Sequence, residues 1–600
     1  MPTRPALSRV PFRMLTHGIR DTGRMPARYA LALATVHAFI VTGLGPLARL
    51  LVLEAMEQAG ISTLTDRNIL HLVSAPVPVV LVAAAVVVVA AATFTLCATL
   101  FVVADLHLSR ARPSLLAVGT RVIAALRTMC RAESVLLAIT LCVLAPLAGF
   151  ALFSPLTAGL ALPPFIGREF AKTTPGAIGL HLAGAALLYL CFRSVLTFPL
   201  SVVTGQRPAR AFLASLRATH TGGLRLAVLL GLAFMLTWLV SQLATVLFGR
   251  TVDGLASLAP AGLLEVGARC GMALVGLASS TLFACLLVAH ARRLAGLTDA
   301  APLLTPPRGR PTRRTLLGVT AVLGLVTGAA FAQTGAMALT PNASDALVIA
   351  HRGYDSGGVE NTIGALDAAA PFDPDFVEVD IQQAGDGGFV ASHDTNLFVL
   401  AGVNRNIYEM TTAEVTSTTV RMKGNSDRIP TMTDFVQRAQ ALGQPLLIEL
   451  KVTGHEKPGF VADLLGELAD VDALARNMFH SLSASAVAQI KHLHPELRVG
   501  LTLGILFGQP PLALECDFYT IEQSSYTPEF LGAAHALGRE VYVWTVNGDL
   551  GMRRFLRDGA DGLVTDRLAE AEHYRDRISP DAAYLPGDAR DLLLAEDVWR

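Results

Sequence analysis

From Val79 to Ala104 the chain reads VVLVAAAVVVVAAATFTLCATLFVVA, with no charged residue anywhere in the run. A stretch of about 20 apolar residues matches the hydrocarbon thickness of a bilayer. In that medium every backbone N–H and C=O must find its partner inside the segment, which leaves a spanning α-helix as the solution. Six other segments have similar texture. Together the candidate spans are Tyr29–Leu53, Val77–Leu106, Ser134–Phe153, Ala177–Leu200, Leu226–Phe248, Cys270–His290 and Leu316–Ala336. The fourth carries Arg193 near one end, read as snorkelling to the interface. Composition agrees: 52% of the 600 residues are hydrophobic and 16% charged, against about 25% charged in soluble domains. The chain is a membrane half joined to a soluble half. Its zero net charge gives no sign of nucleic-acid binding, and none is expected. The cysteines show no CxxC spacing, and the soluble half holds only Cys516, so it contains no internal disulfide.

The loops set the orientation. Arginines crowd the N-terminal segment (Arg4, Arg9, Arg13, Arg20, Arg24, Arg28) and the loops after the second, fourth and sixth spans (for example Arg121, Arg210 and Arg292). The intervening loops, such as EAMEQAGISTLTDRNILH, are poor in Arg and Lys. This alternation places the N-terminus in the cytoplasm, and seven crossings place everything after Ala336 outside. The segment RVIAALRTM, in the second cytoplasmic loop, reads as a basic interfacial helix. Ala330-Phe331-Ala332 resembles a signal-peptidase site, though a plain spanning anchor is the better reading. No acid pairs and few charges fall at mid-span depth. The membrane half therefore reads as an anchor, a lipid-handling scaffold or a partner surface rather than a pump.

From about Leu347 the texture changes to short β-branched runs alternating with amphipathic stretches. Eight strands are expected: LVIAHRG, FVEVDIQQ, PLLIELK, RNMFHS, RVGLTLG, CDFYTIE, EVYVWTVN and DGLVTD. Helices such as TMTDFVQRAQALG, SASAVAQIKHLHP and TPEFLGAAHALG lie between them. The pattern predicts an α/β TIM (β/α)8 barrel, with a doubly wound open sheet as the alternative. The domains are then 1–340 (membrane), 345–575 (barrel) and 576–600 (a tail without an assigned role).

A barrel of this kind carries its chemistry at the C-terminal ends of its strands. His351 and Arg352 end the first strand. Glu378 and Asp380 close the second, two apart and so on one face. Glu449 and Lys451 repeat that spacing on the third. Trp544 and Asn547 end the seventh, and His393 and Asp394 follow a short extra strand, GGFVAS. Glu378, Asp380 and Glu449 offer hard oxygen donors suited to Mg²⁺ or Ca²⁺, and without a cation they would repel one another. Cation, Arg and Lys together suit a phosphate oxyanion, and two histidines near neutrality suit acid–base work. The residues point to metal-assisted cleavage of a phosphodiester.

The pieces HRG at His351, ENT at Glu360, VEVDIQ, DGGFVASHD, IPTMTDF, LIELK, VYVWTVN and DGLVTDR occur in an order that resembles the glycerophosphodiester phosphodiesterase family. The multi-span half resembles that family's membrane-domain branch, found in bacteria. The resemblance implies a TIM barrel, placed by the loops outside a bacterial cell membrane, that hydrolyses glycerophosphodiesters to glycerol 3-phosphate and an alcohol with a divalent cation. It implies His351 and His393 as the acid–base pair and Glu378, Asp380 and Glu449 as metal ligands. Arg352 and Lys451 become phosphate contacts, and Glu360 and Asn361 supporting residues. Trp544 either stacks against substrate, the preferred reading, or packs the barrel rim. It also suggests that the substrate's own hydroxyl attacks first, giving a cyclic phosphate. Two positions depart from the family pattern: Val359 stands before ENT where Pro is common, and Val399 replaces an Arg in HDTNLFVLAG. The polar stretch from Phe398 to Arg428 has the place of a small insertion shaping the pocket. Alternatives are a lysophospholipid or polyglycerolphosphate substrate, a barrel that has lost catalysis and serves as a membrane sensor, and a transporter with an appended hydrolase.

Overall fold

A computed structural model of the chain describes residues 9–23, most of 39–61, 75–109, 115–129, 174–255, 261–297 and 345–577, apart from a few positions, with some isolated or short stretches elsewhere. The chain divides into two compact units. One contains Met1–Ala55 and Pro76–Gly335; the other contains Ala336–Leu585 together with Met56–Ala75.

The first unit is helical. Three of its described helices are long and apolar enough to cross a membrane: Pro76–Leu108, Pro175–Thr204 and Pro208–Ala244. They hold the second, fourth and fifth expected spans. The sixth falls in the helix Ala261–Leu294, the first is described in part, and the basic RVIAALRTM stretch forms the end of a helix over Leu115–Met129. The third and seventh spans, Ala330-Phe331-Ala332 and the tail from Ser579 lie outside the described residues.

Polar contacts tie the helix ends together. Asp105, buried near the end of Pro76–Leu108, binds Arg121 and Arg292 at 2.6 Å each, and Arg292 also donates to Ser109 Oγ at 2.8 Å. His107 Nε2 lies 2.7 Å from the carbonyl of Asp21. Three basic segments that the arginine pattern puts on one side thus meet at one place. Arg193 does not reach outward as a snorkelling residue would. It donates to Thr219 Oγ1 at 2.9 Å and to the Leu216 carbonyl at 2.7 Å, and packs over Tyr189.

The second unit is a closed parallel barrel. Its strands, numbered along the chain, are β1 (Leu347–Ala350), β2 (Phe376–Gln383), β3 (Leu446–Leu450), β4 (Met478–Ser481), β5 (Val499–Leu503), β6 (Phe518–Glu522), β7 (Glu540–Trp544) and β8 (Gly562–Thr565). Each pairs in parallel with the next, and β8 pairs with β1 to close the ring. All eight expected strands are present. Alternation along each strand separates two cores. Val348, Val377, Ile448, Phe479, Val499, Tyr519, Val541 and Leu563 face the helices. Ile349, Leu447, Met478, Phe518, Tyr542 and Val564 fill the interior, with Trp544 packed against them. Small residues make room for large ones there: a Cβ on Gly500 would lie 2.1 Å from the Phe518 ring.

Helix ends follow local chemistry. Thr431 caps Met432–Leu442 by accepting from Asp434 N, and Gly443 closes it in the left-handed region at φ 74°. Between β2 and β3 the chain inserts a short antiparallel strand (Phe389–Ala391), two small helices and a hairpin (Thr419–Met422 with Asn425–Arg428). This insertion has its own apolar cluster around Leu397, Ile407, Val415 and Val420. After β5, the strand Leu506–Gly508 pairs antiparallel with Thr63–Thr65, which belongs to the loop between the first two expected spans.

Two stability outcomes follow. Gly500→Ala forces the Phe518 ring to move and should cost about 1–3 kcal/mol, read from the barrel's chemical denaturation. Asp105→Asn strands Arg121 and Arg292 and should cost about 3–5 kcal/mol, read as a lower Tm of the detergent-solubilised chain.

Candidate active site

The C-terminal ends of β1 to β4 gather a dense set of charges. Strand register sets the arrangement: Asp380 on β2 lies opposite Glu449 on β3, which lies opposite His480 on β4. Glu378 is one inward step below Asp380. The three carboxylates are each under 7% exposed.

Cations hold this set together. Lys451 Nζ sits 2.8 Å from Asp380 Oδ1 and 2.8 Å from Glu449 Oε1. Arg352 Nε lies 3.2 Å from Asp380 Oδ2, and its Nη1 donates to Glu360 Oε1 at 3.1 Å. Burial opposes ionisation of Asp380, but Lys451 and Arg352 outweigh it and hold that carboxyl well below its usual range. Burial likewise disfavours the charged Lys451 ammonium, and Asp380 and Glu449 reverse this and raise its pKa. Glu378 has the opposite fate. Burial, then Asp380 and Glu449, push its carboxyl well above the ordinary value, and its Oε1 is buried without a hydrogen-bond partner. A divalent cation between Glu378 and Glu449 would relieve both conditions, so the residues fit one.

The loop after β1 is shaped around this set. Arg352 (φ 54°) and Asn361 (φ 58°) both adopt the left-handed conformation, uncommon for side chains with a Cβ. The backbone N–H of Arg352 donates to Glu378 Oε2 at 2.9 Å. Asn361 and Asp380 exchange two hydrogen bonds: Nδ2 donates to Oδ2 at 2.9 Å, and Asp380 N donates to Oδ1 at 3.0 Å. The ENT segment thus buttresses the second strand's aspartate. Gly353 (φ 86°) lets the turn pass against Ala365, where a Cβ would come within 2.8 Å.

His351 Nδ1 is 2.7 Å from Asp566 Oδ1. Asp566 follows β8 and is itself held: its N–H donates to Asn547 Oδ1 at 2.9 Å, and Asn547 Nδ2 donates back to its carboxylate. This geometry assigns the proton to Nδ1 and leaves Nε2 as the lone-pair nitrogen. His393 is oriented the same way, with Nδ1 2.8 Å from Asp394 Oδ1. Gln382 Nε2 donates to the carbonyls of Ser392 and His393 at 2.9 Å each and fixes that backbone. Glu360, His393 and Asp394 form a second group, with donor atoms within 4.8 Å of one another.

The structure therefore brings Arg352, Glu360, Asn361, Glu378, Asp380, Glu449 and Lys451 into one network. It sets His351 and His393 on loops at the strand ends, each paired with an aspartate. Trp544 packs against the interior apolar cluster beneath. Two features escaped sequence reasoning. Asp566 lies in DGLVTDR, but nothing local reveals that it meets His351. His480 lies inside RNMFHS as one more strand residue. It is 4% exposed, and burial pushes its ring down to about 4, so it is neutral. Its only sequence signal is the two-residue step from Met478, which puts it on the inward face.

Buried carboxylates, Arg and Lys counter-charges and two aspartate-held histidines at one mouth of a closed barrel suit hydrolysis of a phosphodiester. Comparison narrows this. Residues 351–570 match the model of the glycerophosphoryl diester phosphodiesterase family, and residues 17–293 match the membrane domain of glycerophosphoryl diester phosphodiesterase. The chain is 26% identical over 227 residues to a glycerophosphodiester phosphodiesterase of Caldanaerobacter subterraneus subsp. tengcongensis, covering 37% of this chain and 93% of that one. It is 23% identical over 273 residues to a lysophospholipase D of Rattus norvegicus, covering 38% and 86%. Among solved structures, a phosphodiesterase of Oleispira antarctica in complex with the product sn-glycerol-3-phosphate is 24% identical, covering 38% and 96%, with a TM-score of 0.35. The chain belongs to the glycerophosphoryl diester phosphodiesterase family and carries that family's membrane domain.

The Asp566 contact makes a specific demand. Asp566→Ala frees the His351 ring and should lower kcat by about 10²–10⁴, the range that a positioned acid or base contributes. The check is turnover alongside an unchanged circular dichroism spectrum.

Proposed function

We propose that the chain is a membrane-anchored, metal-dependent phosphodiesterase that hydrolyses glycerophosphodiesters to glycerol 3-phosphate and an alcohol. The observation that carries this reading is the pairing of His351 with Asp566 beside the buried carboxylate set.

His351 and His393 are the acid–base pair. One takes the proton of the attacking oxygen through its Nε2, and the other gives a proton to the departing alcohol oxygen. A new P–O bond forms as the P–O bond to the alcohol breaks. The attacking oxygen is that of water, or first the glycerol hydroxyl, in which case water then opens the cyclic phosphate. Glu378, Asp380 and Glu449 would hold the cation, and their hard oxygens suit Mg²⁺ or Ca²⁺. When bound, that ion supplies positive charge to a phosphate oxygen. Arg352 and Lys451 place their charges alongside, anchored through Asp380. Trp544 forms part of the apolar floor under the substrate, and Glu360 and Asn361 hold Arg352 and Asp380 in place.

The barrel lies outside the cytoplasm of a bacterial cell in this reading. Thr63–Thr65 pairs with Leu506–Gly508, so the loop between the first two spans and the barrel share one side. That loop is poor in basic residues. The Asp105 contacts draw Arg121 and Arg292, from two of the basic loops, to a common place. A second reading, a lysophospholipid substrate, gains support from the similarity to a lysophospholipase D of Rattus norvegicus.

The test uses the full chain in detergent. Glycerol 3-phosphate release from glycerophosphocholine is expected with Mg²⁺ or Ca²⁺, and none with EDTA. His351→Ala should reduce turnover by about 10²–10⁴; unchanged turnover would sink the assignment. Faster release of choline from lysophosphatidylcholine than from glycerophosphocholine would favour the lipid substrate. For orientation, a single cysteine at exposed Asn404, in a chain without other cysteines, should react with a membrane-impermeant maleimide on intact spheroplasts. Reaction only after lysis would reverse the topology.

A further inference from the structure

The carboxylates identified in the sequence are not the only donors at the space where an ion would sit. Asp380 is engaged by Lys451 through Oδ1 at 2.8 Å, and by Arg352 at 3.2 Å and Asn361 at 2.9 Å through Oδ2. A second group converges beside it. Glu378, Glu449 and His480, all buried, each place one donor atom within 4.8 Å of the others.

The orientation of His480 is fixed from behind. Its Nδ1 lies 2.8 Å from Thr502 Oγ1 on β5 and 3.2 Å from Thr520 Oγ1 on β6. Thr520 Oγ1 donates to Thr502 Oγ1 at 2.9 Å. A buried hydroxyl pair on two adjacent strands therefore grips one nitrogen. The other nitrogen, Nε2, is buried and makes no hydrogen bond, and neither does Glu378 Oε1. Leaving a buried polar atom unpaired costs about 1–3 kcal/mol, and here two of them belong to the same trio of side chains. A ring nitrogen held by a partner on its far side is also the usual arrangement of a metal-bound histidine.

We propose that His480 Nε2 is a further ligand of the divalent cation, joining Glu378 and Glu449. This rests on the reading that a cation binds at Glu378 and Glu449. An imidazole donor moves the preference away from Ca²⁺ and Mg²⁺, which take oxygen, towards Mn²⁺, Co²⁺ or Zn²⁺. The signal lies in this chain's own residues, a histidine facing inward on β4 with two threonines behind it.

The test reads the ligand directly. The full chain is purified in detergent, stripped with EDTA and titrated with Mn²⁺, with free Mn²⁺ followed by electron paramagnetic resonance. Electron spin-echo modulation of the bound ion then reports a directly coordinated ¹⁴N. The expected result is one Mn²⁺ per chain with ¹⁴N modulation, persisting in His351→Ala and His393→Ala. In His480→Gln the modulation disappears and Mn²⁺ affinity falls about tenfold or more, while Ca²⁺ affinity changes far less. The two alanine variants identify the nitrogen by elimination even if His480→Gln folds poorly. One bound Mn²⁺ without ¹⁴N modulation, or modulation unchanged in His480→Gln, overturns the proposal and leaves the cation reading standing. Folded wild-type chain that binds no Mn²⁺ overturns both.

Discussion

Three carboxylates share the interior of one small barrel, and the site depends on how their mutual repulsion is answered. Lys451 bridges Asp380 and Glu449, and Arg352 reaches Asp380 and Glu360. Removing water from charges is expensive, and such a set persists only when each charge is matched and hydrogen-bonded. Matching is complete around Asp380 and incomplete around Glu378. That asymmetry separates an acid whose oxygens both meet partners from one with a buried oxygen that makes no hydrogen bond. The left-handed backbone at Arg352 and Asn361 belongs to the same problem, because it lets one short loop deliver a guanidinium, an amide and a backbone N–H to two neighbouring carboxylates.

Much of the barrel was legible in the chain. Eight β-branched runs became eight strands, because alternation on a parallel barrel must serve two cores at once and leaves few other placements. Acids two residues apart, as in Glu378 and Asp380, necessarily face the same way. What stayed hidden was contact across the ring. Asp566 meets His351 only because β8 closes on β1, and no local pattern encodes closure. His480 escaped for a related reason: its neighbours Thr502 and Thr520 sit on two other strands, and none of the three lies in a motif.

The membrane half shows the opposite balance. Apolar length marks out spans: the second, fourth and fifth expected ones fall in helices long and apolar enough to cross a membrane. Charges at helix ends are harder to read, since a sequence cannot say whether an arginine reaches for water or for a neighbouring helix. Arg193 turns to Thr219 and Leu216, and Arg292 turns to Asp105. Polar residues near the ends of spans here act as fasteners between helices.

The ladder between Thr63–Thr65 and Leu506–Gly508 bears on how this protein can be made and cut. A strand translated before most of the spans waits for a partner that emerges near the end of synthesis, so this part of the fold can be finished only after the whole membrane half has been threaded. A protease acting between the two halves would release the barrel without the partner of its Leu506–Gly508 strand. That partner, Thr63–Thr65, would stay on the other fragment.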